Sequence, residues 1–214
     1  NSKFSIADPR KDSIEQGFNY NHFQLTNIDA DLLNLKATSD SFNLDVKYLR
    51  VEDLESGMKI DEMSTYFRYS TKGMHFLDLR LKTGKSRISH RISFLHDSPS
   101  QMSYFIDSVD VVANLDDTYI HTDDLAFFAP EVAQYAMGIG ISGKYTGKIN
   151  NFVGEQSVLS IGDRTKVRGE LDIEGLPDIV PFSAFRNIDL CFFIDLTQSI
   201  FISLSIGRRR DEDK

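Results

Sequence analysis

An extended chain sends alternate residues to opposite faces, and Arg87 to Phe94 sorts cleanly by that rule. Ile88, His90, Ile92 and Phe94 fall on one face; Arg87, Ser89, Arg91 and Ser93 fall on the other. A period of two marks a strand with one dry and one wet face, and no helix separates the two sets this way. Comparable stretches recur: Phe18, Tyr20 and His22; Phe23 and Leu25; Ile28, Ala30 and Leu32; Phe42, Leu44 and Val46; Leu49, Val51 and Leu54. Met58, Ile60 and Met63 follow, then Met74 and Phe76, then Leu77, Leu79 and Leu81, and after the clean strand Met102, Tyr104 and Ile106. Each change of phase marks a bulge or a turn. Polar strings such as Asp40-Ser41, Ser70-Thr71-Lys72-Gly73, Thr83-Gly84-Lys85 and His96-Asp97-Ser98-Pro99 separate the runs. That spacing predicts an antiparallel meander, so the expected fold class is all-β.

One stretch departs from the pattern. Thr122-Asp123-Asp124 has a hydroxyl cap and two carboxylates where a helix dipole favours negative charge. Leu125 to Ala129 is apolar on most sides, and Pro130 interrupts before Glu131 to Met137. The expectation is one short helical segment near 122–137, packed across an end or a face of the sheet. After it, strands resume at Ile139 and Ile141, Tyr145, Ile149, Val158 and Ile161, and Val167, Leu171 and Ile173. Glycine is dense there, from Gly138 to Gly169, which predicts close backbone approach and a strongly coiled sheet.

Composition removes several classes of function. A net charge of -8 argues against a nucleic-acid backbone as partner. Cys191 is the single cysteine, so no disulfide forms within the chain and no zinc or redox site rests on cysteine alone. No secretory signal is legible in Asn1 to Asp12, and the longest apolar stretch, Cys191 to Ile206, is broken by Asp195, Thr197 and Gln198. Because Asn1 is not an initiator, the expectation is an internal piece of a longer protein.

The candidate chemical groups have plainer roles. His22, His75, His90, His96 and His121 are scattered and never at ligand spacing, so no metal site is expected. His90, in phase with Ile88 and Ile92, reads as a satisfied edge or core histidine. Asp116-Asp117 and Asp123-Asp124 could bind calcium or do acid–base work, but a turn and a helix cap account for them. Gly138-Ile139-Gly140-Ile141-Ser142-Gly143 resembles a dinucleotide fingerprint but leads into a strand pattern, whereas the fingerprint must open a helix. No Gly-x-Ser-x-Gly elbow is present. The chain is therefore not expected to be an enzyme, and no cofactor is expected.

Four strings carry a family resemblance. They are Glu55-Ser56-Gly57 before a strand, Leu79 to Ile88, Ile120 to Pro130, and Gly162 to Asp178 ("GDRTKVRGELDIEGLPD"). By their order and spacing the chain resembles the AsmA-like/TamB group of bacterial envelope proteins, most closely the TamB-type translocation and assembly module proteins of Bacteroidetes, over residues 18–186. Asn1 to Gln16 is charged and poorly patterned, which predicts a flexible lead-in, 1–17; the resemblance covers a β-groove domain, 18–186, and leaves an atypical or truncated segment, 187–214. It implies an elongated, strongly curled sheet forming a taco-like groove with an apolar interior. It implies a periplasmic location, with the full-length protein anchored in the inner membrane. The implied partners are phospholipid acyl chains and a TamA-type outer-membrane barrel protein, and the implied work is phospholipid transport and support of outer-membrane protein assembly.

The physics of the residues agrees. Removing a methylene from water is worth about 0.8 kcal/mol, so a groove holding several acyl tails retains them. Apolar contacts are non-directional, which permits movement along the groove. The candidate groove residues are Leu79, Leu81, Ile88, Ile92, Phe94, Met102, Tyr104, Ile106, Val109 and Val111. The alternative is a structural β-solenoid or adhesin-type module whose apolar face closes on itself.

Overall fold

The computed structural model describes residues 3–7, 22–55, 57–125, 136–162, 165–174 and 185–192. They form an 11-stranded sheet in which every strand pairs antiparallel with the next in sequence. The strands are β1 (Phe4–Ala7), β2 (His22–Ala37), β3 (Ser41–Asp53), β4 (Lys59–Ser70), β5 (Gly73–Thr83) and β6 (Ser86–Leu95), then β7 (Asp110–His121), β8 (Gly138–Lys148), β9 (Asn151–Ile161), β10 (Thr165–Glu174) and β11 (Phe185–Phe192). Two short helices, α1 (Phe105–Ser108) and α2 (Thr122–Leu125), flank β7 in the chain. β1 and β11 are the two edges, so the sheet is open. The all-β, antiparallel meander expected from the alternation is the architecture found, with little helix. β1 lies inside the expected lead-in, and β11 crosses the boundary expected at residue 186.

The tight connections fall where the polar strings stand. Ser70 pairs with Gly73 across the β4–β5 turn, and Thr83 pairs with Ser86 across Gly84-Lys85. Gly84 has φ 48, and its N–H donates to Asp61 Oδ2 at 2.9 Å. Lys85 N–H donates to Asp124 Oδ2 at 2.9 Å, and its ammonium meets Asp123 at 2.5 Å. The two aspartates open α2, so this turn and that helix are pinned together. Residues 126–135 of the expected helical segment lie outside the described residues.

Three expectations fail here, each for a local reason. Met102, Tyr104 and Ile106 do not open a strand. They lie in a 3-10 helix, Pro99–Tyr104, and in α1. Pro99 sets the first helical φ, and the Gln101 amide oxygen accepts the N–H of Asp97 at 2.6 Å and of Ser98 at 3.4 Å. Asp116-Asp117 is not a turn; it is a bulge within β7, with Asp117 at φ 45. His90 is exposed at φ 99 rather than buried or satisfied in a core.

Bulges interrupt the strands, some of them where the sequence shows no slip of phase, and from β5 to β10 they align. Each strand from β5 to β10 carries one positive-φ residue in its middle: Asp78, His90, Asp117, Gly143, Gln156 and Gly169. The registers place all six in one band across the sheet. Asp78, Asp117 and Gln156 stand at equal intervals, and the residue after each is buried: Leu79, Thr118 and Ser157. A bulge breaks the hydrogen-bond ladder, and buried backbone groups need replacement partners. Hydroxyls supply them. Thr65 donates to the Leu77 carbonyl at 2.8 Å, and Thr118 Oγ1 accepts the Ser89 N–H at 3.1 Å.

Candidate functional site

The registers sort the strands into a polar face and an apolar face. On the apolar face Phe42, Leu44 and Val46 of β3 oppose Tyr69, Phe67 and Thr65 of β4. Phe67 and Tyr69 oppose Phe76 and Met74 of β5, which oppose Ile92 and Phe94 of β6, which oppose Ala113 and Val111 of β7. Tyr145, Ile141 and Ile139 of β8 and Phe152, Leu159 and Ile161 of β9 continue the row toward Val167 and Leu171 of β10.

The face has two zones. Near the β4–β5 turn the rings form a ladder. Phe42 lies 5.3 Å from Tyr69, Phe67 lies 4.9 Å from Phe76, Phe76 lies 6.1 Å from Phe94, and Phe94 lies 5.1 Å from Phe105 of α1. The first pair is stacked and the others are tilted or edge-on, and pairs of these kinds add about 0.5–1.5 kcal/mol each beyond burial. Toward the opposite end the residues are aliphatic: Leu81 opposes Ile88, and Ile120 opposes Ile139.

Between the zones Ala113, Tyr145 and Leu171 are buried together, with Ile92, Leu115, Ile141, Phe152 and Leu159 packed around them. The arrangement depends on Gly154, which sits between Tyr145 and Leu171 in the register. A Cβ at Gly154 would stand 2.7 Å from Tyr145 Cε1, so the bare backbone is the floor on which the ring lies. The Tyr145 hydroxyl donates to the Ser142 carbonyl at 3.1 Å. Burial pushes the Tyr145 phenol above its ordinary range, because the phenolate would lose its water, and the nearby Ser157 hydroxyl opposes this in part.

Of the candidate groove residues, Leu79, Leu81, Ile88, Ile92, Phe94 and Val111 share the apolar face. Leu79 is 3% exposed, while Leu81, Ile88, Ile92, Phe94 and Val111 are half-buried. Val109 is wholly buried at the junction of α1 and β7 and precedes the strand. Met102, Tyr104 and Ile106 lie off the sheet, and Tyr104 is 70% exposed. Leu77, read in one phase with Leu79 and Leu81, faces the other way, because the bulge at Asp78 shifts the alternation. Missing from the candidates are Leu44, Val46, Phe67, Phe76, Ala113, Tyr145, Phe152 and Leu171. Alternation alone places Leu44, Val46 and Phe76, but the glycine-rich strands β8 and β9 hide Tyr145 and Phe152.

Among the described residues no three or more His, Cys, Asp or Glu side chains converge as metal ligands, and no helix is long and apolar enough to cross a membrane. No protein-family model, curated protein or solved structure matches the chain.

Proposed function

We propose that the apolar face carries phospholipid acyl chains, as one segment of a cell-envelope bridge between inner and outer membranes. The AsmA-like/TamB resemblance supports this reading. It adds a periplasmic location, an inner-membrane anchor in the full-length protein, a TamA-type barrel partner and a role in outer-membrane protein assembly. Carriage of this kind needs no catalytic step.

The observation that carries the proposal is a strip of apolar side chains spanning β3 to β10 in which Phe42, Phe67, Phe76, Ile92, Phe94 and Phe152 stay partly exposed beside a buried centre. Among the described residues the helical elements outside the sheet are the 3-10 helix, α1 and α2, each six residues or shorter. Such a strip gains about 25 cal/mol for every Å² of apolar surface taken from water, and acyl chains supply that contact without demanding fixed geometry. The band of aligned bulges supports the taco-like curl, since each bulge bends its strand and increases its twist. The near-complete burial of Leu79 supports it too, because a leucine on a flat single sheet keeps its tip in water.

The burial of Ala113, Tyr145 and Leu171 favours a second reading, in which the face closes on itself and binds nothing. Ile92 separates the two. On an open face, Ile92→Arg abolishes lipid capture and shifts the urea midpoint little. In a closed core it buries an unpaired charge and unfolds the chain. The test of carriage is a photocrosslinker at Ile92 or Leu81 in cells, together with solvent extraction of the gently purified chain. Absence of phospholipid from both preparations refutes the proposal.

A further inference from the structure

We infer that Arg68, His75 and Arg91 form a site for a phosphate-bearing anion on the polar face of the sheet. Arg68 of β4 lies directly opposite His75 of β5, and His75 lies opposite Ser93 of β6. Arg91 is two residues from Ser93 on the same strand and so stands diagonal to His75 on the same face. Both arginines are exposed and the imidazole is half-buried. Three basic side chains thus converge on one patch of a chain whose net charge is -8.

No carboxylate answers them. Among the described residues, none of the three is within 4.0 Å of an Asp or Glu oxygen. Asp45 on β3, Asp78 on β5 and Asp110 on β7, acidic residues of the adjoining strands, all stand outside ion-pair distance of the three. On β3, Asn43 opposes Arg68, and Asp45, one step along the face, accepts from Asn34 at 2.7 Å and lies 3.9 Å from Lys47. On β7 the facing residues are Val112 and Asn114. Burial first, and then the charges of Arg68 and Arg91, hold the His75 imidazole below its ordinary value. The like-charge strain is therefore felt within the cluster and is unrelieved.

The ring is also held. His75 Nδ1 lies 3.0 Å from the hydroxyl of Ser93, a buried residue, which leaves Nε2 as the edge available to a ligand. Two guanidinium forks and one imidazole N–H are a donor set suited to a tetrahedral oxyanion, and arginine matches phosphate oxygens in pairs. The site lies on the opposite face from the apolar strip and does not depend on it.

The test is an NMR titration of the His75 imidazole in the whole chain, with exposed His90 as internal reference. Inorganic phosphate at constant ionic strength should raise the His75 midpoint saturably, by about half a pH unit or more, while His90 stays put. Arg68→Gln and Arg91→Gln should each raise the starting midpoint, by removing a repelling charge, and abolish the phosphate response. Vesicles of phosphatidylcholine with phosphatidic acid, against phosphatidylcholine alone, distinguish the source. A response to free phosphate marks a soluble ligand, and a response to phosphatidic acid vesicles alone marks a lipid headgroup. A silent His75 in both arms, equal shifts at His75 and His90, or an undiminished response in both glutamine variants overturns the inference.

Discussion

Gly154→Ala is the sharpest test of how the apolar face is packed. The added Cβ would meet Ser157 Oγ at 2.5 Å, Tyr145 Cε1 at 2.7 Å and Tyr145 Cδ1 at 2.9 Å, all shorter than any comfortable contact. The ring cannot rise without parting from Leu171 and Ala113, with which it is buried. Overpacking of this sort costs about 1–3 kcal/mol. Alanine recovers about 0.5–1 kcal/mol, because glycine loses more backbone freedom on folding than any other residue. Contacts this short put the site in the upper half of the overpacking range, so the net destabilisation is about 1–2.5 kcal/mol, or a fall of about 2–10 °C in Tm for a chain of this size. Urea denaturation should show a lower midpoint with an unchanged slope, since the surface exposed on unfolding is the same. The decisive measurement is the double variant with Tyr145→Leu. With the ring gone only the Ser157 hydroxyl still crowds the added methyl, and a single hydroxyl can rotate aside, so the cost of Gly154→Ala should shrink below about 0.5 kcal/mol. Should Gly154→Ala alone leave the midpoint where it was, or cost the same in both backgrounds, the ring does not rest on that glycine.

Leu79→Ala removes a side chain that is 3% exposed beside the Asp78 bulge, and calorimetry should show a loss of about 2–5 kcal/mol. A loss under about 1 kcal/mol places Leu79 in water and removes the main physical support for a curled sheet. Tyr145→Phe deletes the bond to the Ser142 carbonyl and should cost about 0.5–1.5 kcal/mol near neutrality. The phenol also sets an alkaline limb. Its folded pKa is raised above the ordinary value of 10.0, so its contribution is complete below that value and is lost as pH rises through the folded one. The wild-type chain should therefore lose stability above pH 10 more steeply than Tyr145→Phe, and parallel pH profiles would contradict the burial of that hydroxyl.

Much of this molecule is legible in the chain. Period-two alternation announces β3 to β6, and the turn at Thr83-Gly84-Lys85 needs nothing beyond local backbone preference. The slip between Val46 and Leu49 signals an irregularity that the structure makes a bulge. Asp117 marks the limit of local reading. An aspartate at positive φ serves a turn and a bulge equally well, and only pairing with β6 and β8 distinguishes them. Residues 99–108 misled for a related reason: Met102, Tyr104 and Ile106 keep a period of two, while the determinants of the 3-10 helix are Pro99 and the reach of Gln101 back to Asp97.

The chain alone determined the strand content, the hairpin order and the presence of one dry face, because backbone propensity and side-chain period act over a few residues. Register decided the rest. Pairing between distant strands stacked the bulges into one band, laid Tyr145 over Gly154, and set Arg68 and Arg91 about His75. Each of those contacts joins residues that local sequence does not bring together, and a shift of a single position in one ladder would send every side chain of that strand to the other face.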